Sequence, residues 1–352
     1  MSSNFENAVI KGDARRTDIK KGEVRKKTAG QRFLIFFIFE FIFTCITMPF
    51  LVFYGPFDDV KRTVVGASWN TLRHQYIAKA FLSDDAIARI LGSGYAVDPT
   101  ANGEQLQTLN FGNSHDDKVD VYNINGRDFT GKLAVIHDPT RLKVGYSSLF
   151  PKSGETTSTI ARKNSAFAAI NAGGFMDQGW TGTGGVPMGF IIHDGKVVYN
   201  QLESEKISQN TVAFTQDGML IVGKHSIQQL KKLNVTEGVS FGPPLIVNGK
   251  PTISKGDGGW GIAPRTAIGQ KETGEVLLLV IDGRSINSLG ATLKNVQDIL
   301  LEYGAVNASN LDGGSSATMY LNGRVINKPS DKLGERAVPT AFVVTGGKGG
   351  LF

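Results

Sequence analysis

The stretch VLLLVIDGRSINSLGATLKNVQDILLEYGAVNASNLDGGSSATMY, residues 276–320, decides the fold. Val276–Ile281 is an unbroken apolar run between Gly274 and Asp282, the pattern of a buried strand. Thr292 can cap a helix that carries Leu293, Val296, Ile299, Leu300 and Tyr303 on one face, and Gly304 supplies its stop. Ala305–Leu311 is a second short strand, ending at Asp312. A strand–helix–strand unit is normally parallel and right-handed. If the strands are neighbours, Asp282 and Asp312 leave the same carboxyl edge, where open α/β sheets place ligands. Either Asp-Gly pair alone also reads as a turn. Together with Arg284 and the loop Gly313-Gly314-Ser315-Ser316, they read as a site for a sugar joined to a phosphate.

Other strand tips feed the same edge. The apolar run Ala168–Ile170 opens onto Asn171, an amide for a hydroxyl or phosphate oxygen, and onto Gly173 and Gly174, which admit close backbone approach. Arg265 stands at the mouth of a strand beginning PRTAIG, and Glu335-Arg336 precedes the last strand, Val338–Val344. Trp260, in the loop Gly256–Gly261, offers a ring for a sugar face. Each has a plainer counterpart: a turn at Asn171, packing at Trp260, a surface ion pair at Glu335 and Arg336. The candidate catalytic carboxylates are Asp312, Asp282 and Glu335. The candidate substrate ligands are Arg265, Arg284, Arg336, Asn171, Gly173, Gly174, Gly313, Gly314, Ser315, Ser316 and Thr318.

The net charge of +6 is concentrated at one end: residues 1–32 hold nine Lys/Arg against four Asp/Glu. Residues 33–352 are near neutral and carry no basic footprint for nucleic acid. Phe33–Tyr54 contains one charge, Glu40, and eight of the 21 phenylalanines. As a helix it would extend about 33 Å, enough to cross a hydrocarbon core of roughly 30 Å. The basic flank orients that end to the cytoplasm and the remainder outside. The rival, a cleaved signal peptide, has only Val65-Gly66-Ala67 as a small-residue site. The lone cysteine, Cys45, lies in this segment, so the outer part is expected to hold no disulfide and no thiolate chemistry. The five histidines, His74, His115, His137, His193 and His225, show no metal-ligand spacing, and no metal or cofactor is expected.

Beyond the apolar segment, residues 74–91 have an amphipathic helical pattern and 92–118, rich in Gly, Asn, Asp and Ser, resemble a linker. From Val119 onward, hairpin signals punctuate alternating strands: Asn125-Gly126, Asp194-Gly195, Asp217-Gly218, Asn248-Gly249 and Asn322-Gly323. The expectation is an α+β protein: a β-rich mixed sheet with several hairpins and one strand–helix–strand unit, behind a single membrane helix. Its parts are a basic tail (1–32), an anchor (33–54), a stalk and linker (55–118) and an extracellular domain (119–352).

From about Asp120 to Val344 the chain resembles the phosphodiester glycosidase family. The resemblance rests on INAGGF (Ile170–Phe175), FGPPLIVNGK (Phe241–Lys250), APRTAIG (Ala263–Gly269), IDGR (Ile281–Arg284), NASNLDGGSSATMY (Asn307–Tyr320) and GERAVPTAF (Gly334–Phe342). One departure is Ser315, where the family often has a third glycine. The resemblance implies hydrolysis of a bond between a sugar C1 and a phosphodiester, in a sugar phosphate or an envelope phosphopolymer. The residues suit that chemistry, because the departing phosphate monoester has a second pKa of about 6 and leaves with little acid assistance. The site then needs cations for the phosphate and a carboxylate near the developing oxocarbenium ion. Two other classes remain open: a non-catalytic glycan- or phosphopolymer-binding module, and a metal-dependent phosphodiesterase, for which paired ligands are scarce.

Overall fold

The computed structural model describes residues 28–69, 75–92, 96–111, 116–176 and 183–346; His74, His115 and most of the basic tail lie outside them. The chain divides after Tyr54 into two units. The first holds helix α1 (Ala29–Tyr54), whose most apolar window has a mean hydropathy of 2.3. Seven of its eight phenylalanines are exposed, and Phe53 is buried.

The second unit opens with α2 (Asp58–Trp69), α3 (Gln75–Lys79) and α4 (Asp84–Gly92). The amphipathic pattern over 74–91 is thus interrupted before α4, where the Ser83 hydroxyl accepts from the Ala86 N–H. The segment expected to be stalk and linker makes contacts along the domain. Thr63 donates to the Asp257 carboxylate at 3.3 Å, the Val97 N–H to the Thr252 carbonyl at 3.0 Å, and the Gln107 N–H to Asn248 at 2.8 Å.

The strands come in the order β1 (Val119–Asn125), β2 (Thr130–Ile136), β3 (Leu142–Tyr146), β4 (Glu155–Thr156) and, after α5 (Thr157–Lys163), β5 (Ala168–Asn171). Next come β6 (Phe175–Met176), β7 (Val186–Pro187), β8 (Phe190–His193), β9 (Lys196–Asn200), β10 (Gln209–Thr215) and β11 (Leu220–His225). After α6 (Ile227–Lys232) run β12 (Val235–Val239), β13 (Pro244–Val247), β14 (Lys250–Pro251), β15 (Arg265–Lys271) and β16 (Val276–Ile281). Helix α7 (Leu293–Glu302) leads to β17 (Ala305–Leu311), β18 (Met319–Leu321), β19 (Arg324–Val325), β20 (Ala337–Val338) and β21 (Thr340–Val344).

Three sheets share one core. Their orders are β1-β2-β16-β15-β17-β13-β14, β11-β10-β12-β8-β9 and β19-β18-β5-β21-β3. Ile268 and Leu278 of the first, Phe214 and Val222 of the second, and Ile170 and Phe342 of the third meet in a single cluster. Each sheet carries a helix on its other face: α7 on the first through Leu293, Val296 and Leu300, α6 on the second, α5 on the third. All five of the pairs read as hairpin signals join antiparallel neighbours. In three of them, Asp194-Gly195, Asn248-Gly249 and Asn322-Gly323, both residues have positive φ, the backbone of a type I′ turn whose twist matches the strands.

The α+β class and the hairpins are as the sequence reads, but the strand–helix–strand unit takes a different form. The strands β16 and β17 run in the same direction without touching, because β15 lies between them and pairs antiparallel to both. Two strand spacings separate them, about 10 Å. Their carboxyl ends still share an edge: Ile281 stands opposite Arg265 and Leu311 opposite Thr266.

Gln270 joins two sheets from inside. Its Oε1 accepts from the Leu220 N–H at 2.7 Å, and its Nε2 donates to the Gly218 and Gly274 carbonyls. Gln270→Ala would strand three buried backbone groups, each costing roughly 1–3 kcal/mol when unpaired. The expected result in denaturant titration is a loss of about 3 kcal/mol or more; a change under about 0.5 kcal/mol would contradict this role.

Candidate active site

The site is built where the ends of β5, β16 and β17 meet the start of β15. Asp312 follows β17, and its N–H donates to the Ala172 carbonyl just past β5 at 3.0 Å. The residue keeps some accessible surface, yet its carboxyl is enclosed by protein. Desolvation dominates and pushes its pKa up to about 6, against the Ser316 hydroxyl, the Arg336 charge and the Gly313 N–H, which all favour the ionised form.

Arg336 approaches that carboxyl from the loop before β20, and Arg284 neighbours Arg336. Arg284 has a left-handed backbone, φ 57°, held in a tight loop by its N–H to the Leu289 carbonyl. Its guanidinium lies against Gly314: a Cβ there would stand 3.2 Å from Arg284 Nη2, and Gly314 itself has φ 60°. Burial, then the neighbouring Arg336 charge, lower the Arg284 pKa, while Asp331 opposes them. Arg336 donates to the Ser315 hydroxyl at 3.2 Å and sits 4.8 Å over the Phe175 ring. Ser315, the departure from the family's usual glycine, therefore supplies a partner that glycine would lack. Two guanidiniums near enough to repel, one of them beside a carboxyl, make a candidate seat for an anion.

The remaining charged candidates are each held by hydrogen bonds within the protein. Arg265 is buried and donates to the Ala291, Trp260 and Gly261 carbonyls at 3.0, 3.0 and 2.6 Å. Desolvation lowers its pKa to about 10, with Asp257 opposing and Arg284 adding to the shift. It fastens the Trp260 loop rather than facing Asp312. Asp282 accepts through one oxygen from Asn327 Nδ2 at 3.0 Å and the Lys328 N–H at 2.8 Å, holding the loop ahead of Asp331. Glu335 accepts from the Ser158 N–H at 2.9 Å, at the first turn of α5, where a carboxylate completes an unsatisfied helix end.

Asn171 is wholly buried and fully engaged. Its Oδ1 accepts from the Thr266 hydroxyl at 2.8 Å and the Thr318 N–H at 3.1 Å, and its Nδ2 donates to the Asp312 carbonyl at 2.5 Å. The Thr318 hydroxyl is buried without a partner. In the glycine-rich loop, the Gly314 N–H donates to the Pro264 carbonyl and that of Ser316 to Gly313, so those two amides are occupied within the protein. Gly313 is needed for the same packing, since a Cβ there would stand 2.7 Å from the Pro264 carbonyl oxygen. The Gly173 N–H donates to the Thr340 hydroxyl, and Gly174 backs onto the Phe241 ring. Sequence reading missed Phe175, Asn327 and Asp331; Phe175 lies in the INAGGF string, and nothing local marks the other two.

Among the described residues one group of metal-capable side chains converges, His193, Asp194 and Glu237. The Lys143 ammonium already bridges its carboxylates at 3.0 and 3.1 Å, and the Val144 N–H donates to Glu237, so this is an ion-pair network joining two sheets.

Residues 164–345 match the sequence pattern of the phosphodiester glycosidase family, and the chain belongs to that family. An uncharacterized SPbeta prophage-derived protein of Bacillus subtilis, YomE, is 31% identical over 199 residues, 54% of this chain and 30% of its own length. Mouse N-acetylglucosamine-1-phosphodiester α-N-acetylglucosaminidase is 27% identical over 234 residues, 60% of this chain and 43% of its own. The chain thus spans less than half the length of these relatives. The zebrafish catalytic domain of the latter enzyme, auto-inhibited by its pro-peptide, superimposes with a TM-score of 0.58 at 25% identity, over 70% of this chain and 90% of that domain.

Asn171→Ala would leave the Thr266 hydroxyl, the Thr318 N–H and the Asp312 carbonyl unpaired at the centre of the site. Thermal melting is expected to fall by several degrees, from a loss of about 2–4 kcal/mol. An unchanged melt would remove Asn171 from this role.

Proposed function

We propose that the protein is a membrane-anchored hydrolase that cleaves the C1–O bond of a glycosyl-1-phosphodiester on the outer side of the membrane. The observation that carries this reading is the Asp312 carboxyl, desolvated to a pKa of about 6, beside Arg336, whose neighbour is Arg284. Family membership, and relatives named for N-acetylglucosamine-1-phosphodiesters, support the bond type. Helix α1 and the basic residues before it support the anchor and its orientation.

In the reaction the C1–O bond breaks, its electron pair leaves with the phosphate, and water supplies the oxygen that ends on C1. Arg284 and Arg336 stabilise the charge growing on the phosphate oxygens, the interaction that strengthens most towards the transition state. Asp312, ionised at neutral pH, faces the positive charge at C1. Arg265 fixes the Trp260 loop, Asp282 the 327–328 turn and Glu335 helix α5, so on this assignment they position the groups that react.

The pKa has two consequences with opposite signs. The rate needs ionised Asp312, so kcat/KM should decline below about pH 6, and Asp312→Asn should lower it a hundredfold or more and abolish the limb. Stability runs the other way: with the folded pKa above the unfolded one, the native state binds the extra proton between about pH 4 and 6 and loses stability as pH rises through that window. Asp312→Asn should therefore melt no lower than the parent at pH 7.5, with a gain of at most about 2–3 kcal/mol. A folded, near-normally active Asp312→Asn variant would overturn the assignment.

The arginines separate by the same logic. Arg284→Ala and Arg336→Ala should each lower kcat/KM by roughly a hundredfold, in line with the loss of one charge-stabilising donor, with little change in melting. Arg265→Ala should instead lower the melting temperature, because it uncouples the Trp260 loop. Unchanged kinetics in both Arg284→Ala and Arg336→Ala would remove the phosphate seat.

A further inference from the structure

Two loops beside the arginine pair each end in a tight turn that presents an aliphatic side chain to solvent. In the loop after β16, Ser285 and Ser288 exchange backbone hydrogen bonds of 2.9 and 3.2 Å, so Ile286 and Asn287 form the tip. In the loop before β20, the Gly334 N–H donates to the Asp331 carbonyl at 3.1 Å, which leaves Lys332 and Leu333 at the tip. Ile286 is 100% exposed and Leu333 95%, and Leu289, at the foot of the first turn, is exposed as well. Such tips ordinarily carry Gly, Asn, Asp or Ser, and an aliphatic side chain there gains nothing from the fold. The loops are neighbours: the Asp282 carboxylate before the first turn accepts from the Lys328 N–H of the second loop at 2.8 Å, and the Asp331 charge acts on Arg284. The same rim is basic. Lys328 and Lys332 are exposed, and the β1–β2 turn, whose Asp128 carbonyl accepts from the Leu289 N–H at 2.8 Å, adds exposed Arg127. Against them stands one exposed carboxylate, Asp128, 3.9 Å from Arg127. Asp282 and Asp331 are half-buried and accept from backbone N–H groups, Asp331 from that of Leu333 at 3.0 Å.

We propose that this rim docks on the surface of an anionic bilayer, with Ile286 and Leu333 entering the headgroup layer and Arg127, Lys328 and Lys332 meeting the lipid phosphates. Aliphatic tips beside cations match a surface that offers hydrocarbon beneath a layer of negative charge. A second copy of this chain would instead set the same cations against one another. Helix α1 supplies the reason a bilayer is within reach, so the inference rests on the anchor reading above. It does not depend on the chemistry assigned to Asp312.

The test is spin-label EPR on the full chain reconstituted in vesicles. Cys45 is the only cysteine, so Cys45→Ser combined in turn with Ile286→Cys, Leu333→Cys or Glu272→Cys gives three single-label proteins. Glu272 is the control, exposed in the β15–β16 turn at the end of those strands away from Arg265. In vesicles of phosphatidylglycerol and phosphatidylcholine, the labels at 286 and 333 should be shielded from an aqueous nickel chelate about threefold or more relative to the label at 272. Phosphatidylcholine alone, or Lys328→Glu with Lys332→Glu, should remove that shielding. Equal chelate access at all three positions, or shielding that ignores lipid charge, would overturn the proposal. So would label broadening that rises with protein density, which would mark self-association instead. Carbonate extraction reads the anchor separately: release of the chain from the vesicles sinks the anchor reading, while label shielding on vesicle-bound protein still decides the rim.

Discussion

The Asn171 side chain is the constraint on which the rest depends. A carboxamide offers one acceptor and one donor group, and here both are used in the protein interior: strand β15 through Thr266, the turn before β18 through Thr318, and the Asp312 backbone. Thr266 belongs to the first sheet and Asp312 follows its strand β17, whereas Thr318 adjoins the third, which holds Asn171 itself. The hydrogen bonds fix where β5 crosses the start of β15, and with it the height at which Asp312 leaves β17. A buried amide whose partners were displaced would cost several kcal/mol, so the strand ends cannot slide without breaking it.

Around this point the fold places small residues and cations in complementary roles. Pro264 is packed by glycines on both sides: a Cβ at Gly283 or Gly313 would come within 2.9 Å of it. That close approach lets the loops after β16 and β17 converge and carries Arg284 over to Gly314. The two guanidiniums are then held near each other, each disfavouring the other's charge. Asp312 is costly in the same sense, a carboxyl raised towards neutrality by desolvation. Such opposed costs in one small volume mark sites where structure is arranged for a ligand rather than for the free protein.

Much of this was legible in the sequence, and the limits have physical reasons. Asn-Gly and Asp-Gly pairs between alternating strands report hairpins because a tight turn is a local requirement, and the five so placed all mark such joins. The apolar run at Val276–Ile281 and the cap at Thr292 are equally local. The insertion of β15 between β16 and β17 is not: strand order is set by which apolar faces meet in the core. Side-chain allegiance is harder still. Arg265 and Arg284 both follow strand-edge patterns, yet one donates to three backbone carbonyls and the other reaches Gly314. Asp282 and Asp312 share an Asp-Gly signature, and only the tertiary surroundings make one a loop strap and the other a desolvated acid. Glu335 reads as a candidate carboxylate or as an ion-pair partner of its neighbour, and its carboxylate accepts at a helix end 177 residues away in sequence.

The central claim is that Asp312 and the arginine pair direct cleavage to the sugar carbon rather than to phosphorus. Hydrolysis of a sugar-1-phosphodiester in ¹⁸O-labelled water tests it most directly, with the released phosphate monoester analysed by mass spectrometry. Attack at C1 leaves the phosphate free of label and places the new oxygen on the sugar. A phosphate carrying one ¹⁸O, released with an unlabelled sugar or as a labelled sugar phosphate, would show attack at phosphorus and contradict the account.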